Sequence, residues 1–322
     1  MRFLADPEQR AFVRALDARL TAAGTPAVVR AWSRGAHGPG RALWSGLAEA
    51  GVFALAVPEE YDGLGVRPVE LALAFVELGR HAVPGPLVET VTAATLLTGT
   101  PYARRFLPGL AAGETLATLA PEGAPALDGD AAGLHLALSP GGLRLAPGHG
   151  PVRTGIDPSR RLTPLLPGGP SLGPPAPGAL GVARLATAAQ ALGVGLALLE
   201  RTVGHVRRRH QFGVPVGSFQ AVKHRLADAR IALDFARPLV LGAALTRSPT
   251  DLAMAKSAAC EAAYTTARTA LQLHGALGYT AEYDLSLWIV RARALRTAWG
   301  GPRACRAAVL EGAAAREQPA TV

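Results

Sequence analysis

Cysteine occurs only twice in the 322 residues, asparagine not at all, and lysine only as Lys223 and Lys256. Two thiols, Cys260 and Cys305, exclude a disulfide framework and a four-cysteine metal centre. They read as buried thiols of a cytosolic protein, and no metal site is expected. Aromatic side chains make up 5% of the chain. The core must therefore be built from Ala, Leu and Val, which favours closely packed helices over a β-sandwich. Apolar runs are broken by Arg, Gly or Pro before the roughly 20 residues that a membrane-spanning helix needs, so no membrane helix is expected. The opening Met1-Arg2-Phe3-Leu4-Ala5-Asp6-Pro7-Glu8 turns acidic at once and has no signal-peptide apolar region, which points to a cytoplasmic location.

What is present is a hydrophobic fraction of 49% with 18% charge, enough for a buried core and two or three domains. The net charge of +9 is carried almost entirely by Arg. With Asn absent, that bias matches a GC-rich coding sequence. The Arg residues are spread along the chain without an aromatic-interleaved cluster or a helix-turn-helix pattern, so nucleic acid is not an expected partner.

Three textures follow one another. In the first, Asp6-Pro7-Glu8-Gln9 supplies an N-cap, a proline at the first helical position and a Gln at the third, followed by Phe12, Leu16 and Leu20 on one face. Further amphipathic runs cover about 39–52, 68–82 and 86–98. From about 120 to 180 Gly and Pro crowd in, leaving short strand-like pieces such as 133–138 and 142–145. The run from Pro167 through Pro174-Pro175-Ala176-Pro177 suits neither regular helix nor central strand. Beyond it, Leu185, Ala189, Leu192, Leu196, Leu199, Val203 and Val206 form one bundle seam, and Val222, Leu226, Ala229, Leu233, Ala236, Val240 and Ala243 a second. A third helix opens at Ser248-Pro249-Thr250-Asp251, carries small residues that imply close helix–helix approach, and ends at Gly275. A fourth runs from about Asp284 to Trp299. The expected division is an α-helical N-terminal domain over 1–118, a reduced β domain over 119–180, and a C-terminal four-helix bundle over 181–322.

Two segments can carry chemistry. Arg207-Arg208-Arg209-His210-Gln211-Phe212-Gly213 puts guanidinium groups and an aromatic at a helix–helix corner. Arg can pair bidentately with phosphate, and Phe can cover a flat ring. Arg near a helix C-terminus equally complements the helix dipole. Leu271-Gln272-Leu273-His274-Gly275-Ala276-Leu277-Gly278-Tyr279-Thr280 joins a Gln at a helix end to small residues with free backbone groups, which suits a nucleotide or an ordinary glycine cap.

Taken in order, these segments resemble the acyl-CoA dehydrogenase family. Ala56-Val57-Pro58-Glu59-Glu60-Tyr61-Asp62-Gly63-Leu64-Gly65, Leu107-Pro108-Gly109, Gly155-Ile156-Asp157-Pro158-Ser159-Arg160-Arg161 and Gly217-Ser218-Phe219-Gln220 resemble it too, so the likeness spans nearly the whole chain. The resemblance implies a helical N-terminal domain, a small β domain and a four-helix bundle that mediates oligomerisation. It also implies FAD lying across a subunit interface. Arg209 would match the phosphate-binding Arg, Gln211 and Phe212 the two positions after it, and Gln272 the adenosine-side Gln. Gly275 would match one glycine of a pair in which Ala276 replaces the other.

Departures are as informative. The family's Glu removes the substrate α-proton while hydride leaves the β-carbon, and a base must reach that proton. One family position for it falls within Ala298-Trp299-Gly300-Gly301, and the other aligns with Ala183 by counting back from Phe212-Gly213; neither offers a carboxylate. The usual flavin-contacting run in the β domain is replaced by Leu119-Ala120-Pro121-Glu122-Gly123-Ala124-Pro125. The resemblance therefore implies the shorter, non-catalytic subunit of a heteromeric α2β2 enzyme of actinobacterial type, acting in lipid or steroid side-chain degradation. FAD would be shared with a full-length acyl-CoA dehydrogenase partner, which also holds most of the acyl-CoA, and electrons would pass to an electron-transfer flavoprotein or similar acceptor. The alternatives are a homo-oligomeric enzyme with a relocated base (Glu282, Glu261 or Glu200) and a flavin-free interaction protein on the same scaffold.

Overall fold

The computed structural model describes residues 4–175, 178 and 180–317; Ala176 and Pro177 of the proline-rich run lie outside them. The first helices are α1 (Pro7–Ala22), α2 (Thr25–Ser33), α3 (Gly38–Glu49), α4 (Pro68–Arg80), α5 (Leu87–Leu97) and α6 (Ala103–Ala111). Seven strands follow: β1 (Ala117–Pro121), β2 (Pro125–Leu127), β3 (Leu134–Ser139), β4 (Gly142–Leu145), β5 (Arg153–Thr154), β6 (Arg161–Pro164) and β7 (Ser171–Gly173). Then come α7 (Leu180–Arg208), the hairpin β8 (His210–Gln211) and β9 (Val214–Pro215), α8 (Gln220–Thr246), α9 (Pro249–His274), α10 (Leu285–Leu295) and α11 (Pro302–Glu317). The chain divides into two compact units, one of Asp6–Ala74 with Val83–Ala183, the other of Phe75–Ala82 with the chain from Arg184 onward.

In the first unit, α1 starts where the capping box requires. The Asp6 side chain accepts from the Gln9 backbone N–H at 2.8 Å, and the Gln9 side chain accepts from the Asp6 N–H at 3.0 Å. Leu16 and Leu20 then turn inward. α2 and α6, which the hydrophobic spacing does not reveal, are short helices of nine residues each. The β region is more regular than its Gly and Pro content suggests. One sheet runs β1-β3-β4-β7 with β1 and β3 parallel, and a second runs β2-β6-β5. Strand β7, inside the proline-rich run, is at a sheet edge, the place where a strand flanked by proline is tolerated. A buried polar knot ties α2 to these sheets. Trp32 Nε1 donates to Asp128 Oδ1 at 3.0 Å, the Arg161 backbone N–H donates to the same oxygen at 3.2 Å, and the Arg161 guanidinium pairs with Asp130 at 2.6 Å.

In the second unit α7 is buried on most sides, and its seam residues Leu185, Ala189, Leu192 and Val206 all lie in the core. This helix corrects one expectation. It contains an 18-residue window of mean hydropathy 1.6, long and apolar enough to cross a membrane by length and composition. Contrary to the sequence reading, its Gly residues do not interrupt the helix; they serve packing. Within that window 83% of the residues are buried inside the protein. A Cβ at Gly193 would run into the Val76 carbonyl oxygen, and one at Gly79 into that of Gln190, so the end of α4 and α7 approach backbone to backbone. Helix α9 is capped by Ser248, whose Oγ accepts from the Asp251 N–H at 3.1 Å, and packs through Ala255, Ala259 and Ala263. Buried Lys256 donates to the carbonyls of Leu295 and Arg296 at 3.5 and 3.4 Å and so closes the C-terminal end of α10. Helix α10 ends at Leu295, four residues short of the expected end; the chain continues as a turn and reaches positive φ at Trp299 and Gly300 (53° and 115°). Both cysteines are free and buried.

Candidate functional site

Arg209 follows the last turn of α7. Its N–H donates to the His205 carbonyl at 2.9 Å, and its own carbonyl accepts from the Val216 N–H at 2.8 Å. These bonds set the base of the β8–β9 hairpin, whose two-residue tip is Phe212 (φ 54°) and Gly213 (φ 78°). Positive φ at both tip positions gives the primed turn that matches strand twist. The tip drives Phe212 outward, 91% exposed, with its ring edge-on to Phe219 at 6.2 Å. The Gln211 side chain donates from Nε2 to the adjacent His210 carbonyl at 2.9 Å. The corner thus presents Arg209, Gln211 and Phe212 outward from the second unit, and no carboxylate holds Arg209 among the described residues.

The second segment closes α9. Gly275, at φ 61°, is the C-cap, and its N–H donates to the Leu271 carbonyl. Ala276 is exposed in the 3-10 turn Gly275–Tyr279. Gln272 lines a groove of about 400 Å³ between α8 and α9 with Arg225, Thr265, Arg268, Thr269, Leu271 and Tyr279. Arg209 and Phe212 do not line it.

What joins the two segments is a histidine pair. His205, four residues before Arg209, stacks on His274, two residues after Gln272, with centroids 4.0 Å apart and planes 25° apart. His274 Nδ1 lies 2.8 Å from the Ala270 carbonyl, and the Tyr283 ring lies 5.6 Å from the His274 ring, tilted by 46°. Burial, the neighbouring His274 and the Arg209 and Arg208 charges push His205 down to about 4, and burial lowers His274 as well. Both rings are therefore neutral near pH 7, and the positive charge of the corner is that of its arginines. Spacing alone does not single out His205, Arg225 or Arg268, whereas Tyr279 lies within the second segment. Arg268 and Gln272 stand four apart on one helix and were readable as a pair. Arg225 and His205 join the site only through helix packing.

Ala183 is fully buried in α7. Trp299 and Gly300 form the left-handed turn after α10, and a Cβ at Gly300 would lie 3.6 Å from Cys305 Sγ and 4.0 Å from Arg184 Nε. Glu200 is bound to Arg80 and Glu261 to Arg296, each at 2.8 Å, while Glu282 is exposed and has its own partner. The donor set of the corner and groove consists of guanidinium, amide, hydroxyl and phenol groups without a carboxylate. That chemistry fits the diphosphate and base of a dinucleotide.

Comparison with known proteins settles the kinship. The acyl-CoA dehydrogenase N-terminal domain profile matches residues 6–114 and the acyl-CoA dehydrogenase C-terminal domain profile residues 176–312. Acyl-CoA dehydrogenase IpdE2 of Mycobacterium tuberculosis is 37% identical over 304 residues, spanning 92% of this chain and 95% of that one. The chain belongs to the acyl-CoA dehydrogenase family. Its fold is that of the family: a helical N-terminal part, a small β part and C-terminal helices. Among solved structures, one described as the Tcur3481-Tcur3483 steroid ACAD, in variant form, has a TM-score of 0.82 at 26% identity and covers 95% of this chain and 99% of that one. The ChsE4-ChsE5 complex from Mycobacterium tuberculosis has a TM-score of 0.84 at 22% identity, covering 99% and 100%. PigA with FAD and proline has the same fold, with a TM-score of 0.84 at 16% identity, covering 98% and 100%.

Proposed function

We propose that this acyl-CoA dehydrogenase family member is the non-catalytic subunit of a heteromeric enzyme that desaturates an acyl-CoA between its α and β carbons. Arg209, Gln211, Phe212, Gln272, Gly275 and Ala276 form the ADP half of a shared FAD site, and the C-terminal helices form the oligomer interface. Bound FAD would accept the hydride. Arg209 would hold its diphosphate through paired N–H donors, and Phe212 would cover a flat face of the cofactor. The partner, a full-length acyl-CoA dehydrogenase subunit in a heterotetramer, supplies the base, the flavin-ring pocket and most of the acyl-CoA site. The division into 1–118, 119–180 and 181–322, a cytoplasmic location and an electron-transfer flavoprotein or similar acceptor belong to the same reading. The steroid description of Tcur3481-Tcur3483 supports a steroid side-chain substrate.

One observation carries this reading. Arg209, Gln211 and Phe212 are present and exposed, whereas Ala183, Trp299 and Gly300 leave both family base positions without a carboxylate. The test is copurification. The chain expressed alone is expected to show little flavin absorbance and no dehydrogenation, and both are expected on coexpression with a full-length dehydrogenase that keeps the Glu. Arg209→Ala should lower the FAD content of that complex roughly tenfold or more, the scale of a lost charge-assisted hydrogen bond. Full FAD and activity in the isolated chain would refute the proposal.

A further inference from the structure

Helix α8 is apolar on two opposite sides. Ala229, Leu233, Ala236, Val240 and Ala243 make up the buried side. On the other, Ala227, Ile231, Phe235, Pro238, Gly242 and Leu245 recur at spacings of four and three, within about a quarter of the helix circumference. That outer seam is open: Phe235 is 73% exposed, Ile231 53% and Leu245 49%. A helix that borders solvent carries polar residues outward, and one that is apolar on both sides has a second surface to cover. Aromatic side chains are scarce in this chain, and Phe235 set outward beside Ile231 has the character of an interface centre.

Charge borders the seam. Lys223, Arg230 and Arg237 lie along one edge of it, and all three are exposed. Arg230 is tied to Asp234 at 2.6 Å, whereas Lys223 and Arg237 have no carboxylate partner among the described residues. The imbalance extends beyond this helix. Residues 184–322 contain 18 Lys and Arg against 9 Asp and Glu, while residues 1–183 contain 15 of each class. The whole net charge of +9 therefore belongs to the chain from Arg184 onward. A composition bias acting along the entire sequence would not spare its first 183 residues. Two copies of α8 meeting across a two-fold axis would set these like charges against one another, and an acidic surface would neutralise them.

We propose that the outer seam of α8 is the docking surface for the full-length partner subunit, and that charge selects this partner over a second copy of the chain. The partner's facing surface is apolar at its centre, where it covers Ile231 and Phe235, and acidic at its rim, where it meets Lys223 and Arg237. The proposal rests on the heteromeric reading above and adds the chemistry of the surface that the partner must present. Attraction between the rims acts mainly on the rate of encounter, and burial of the seam on the lifetime of the complex.

The experiment follows association of the purified chain with a full-length dehydrogenase that keeps the Glu, at about 50 mM and about 500 mM salt, a range over which exposed charges become strongly screened. Sedimentation of the chain alone is followed under the same two conditions, and it is expected to stay monomeric at low salt. Phe235→Ala should shorten the lifetime of the complex roughly tenfold or more at both salt concentrations. The double variant Lys223→Glu with Arg237→Glu should slow association roughly tenfold or more at low salt and much less at high salt, a dependence that lost packing alone does not produce. All three side chains are exposed, so the circular dichroism spectra should not change. An unchanged lifetime with Phe235→Ala, or an association rate indifferent to charge reversal, overturns the proposal. So does low-salt dimerisation of the chain alone that Phe235→Ala abolishes, since a second copy would then be the occupant. The heteromeric reading fails on a different measurement, full FAD content and activity in the isolated chain. A complex that keeps FAD while ignoring Phe235, Lys223 and Arg237 refutes only this surface.

Discussion

At residue scale the backbone of Gly300 disfavours a carboxylate side chain at that position. At φ 115° it occupies a conformation that L side chains rarely adopt. A Glu there would be strained by about 1–3 kcal/mol, and its Cβ would sit against Cys305 Sγ at 3.6 Å. Gly300→Glu is therefore expected to lower the thermal midpoint without producing acyl-CoA-dependent flavin reduction in the isolated chain. Reduction by that variant would mean that the turn can hold a base after all. Phe212 shows the opposite use of the same backbone region. Its positive φ turns a large apolar side chain into solvent, a cost in exposure that makes sense where another molecule covers the ring.

Among the elements, α7 contains two glycines whose surroundings differ. Gly193 meets backbone on the end of α4, so an added methyl must move a main chain. Gly204 faces only the far end of the flexible Arg208 side chain, whose Nη1 would lie 3.4 Å from an added methyl. Gly193→Ala should cost about 1–3 kcal/mol through overpacking, while Gly204→Ala should gain about 0.5–1 kcal/mol from helix propensity. Urea unfolding of the two variants would read the difference, and equal effects would contradict the close approach. Sequence signals for elements were strongest where caps and long seams coincide, as at Asp6, at Ser248 and along α7. They failed for α2 and α6, whose nine residues make too few turns for a period to emerge, and for α11, whose helix is rich in Ala and Arg rather than striped with large apolar residues. The β region was legible only as pieces, because strands of two to six residues gain their identity from pairing with distant partners.

For the whole molecule, two sets of buried groups give opposite pH dependence. Burial, with Glu89 nearby, raises Asp128 from 3.8 to about 7 against the bonds from Trp32 and Arg161. The unfolded chain thus releases this proton first, and stability falls as pH rises from about 4 to about 7, by at most roughly 1.4 kcal/mol per pH unit. His37, His135, His205 and His274 are all lowered by burial, so the unfolded chain takes up protons that the native state refuses. Stability from these groups falls as pH drops below 6.5, continuing to about 4 for His205. The two slopes oppose each other between about 4 and 6.5. Asp128→Asn keeps an acceptor for Trp32 and removes the titration. It is expected to raise the thermal midpoint more at pH 8 than at pH 5 and to steepen the loss on the acid side. A pH-independent change would rule out a buried ionising carboxylate.

By itself the sequence determined the helical character, the caps, the bundle seams, the family likeness and the lack of a carboxylate at Ala183, Trp299 and Gly300, because each depends on residue types at short spacings or at single positions. Tertiary structure alone decided that the Arg209 and Gln272 segments are joined through His205 and His274, that Arg225 and Arg268 line one groove, and that an α7 long and apolar enough to cross a membrane is instead packed inside the protein. The reason is physical. A residue's type is fixed locally, but its neighbour across a helix interface is fixed by backbone approaches such as that of Gly79 to Gly193, which no single stretch of chain encodes.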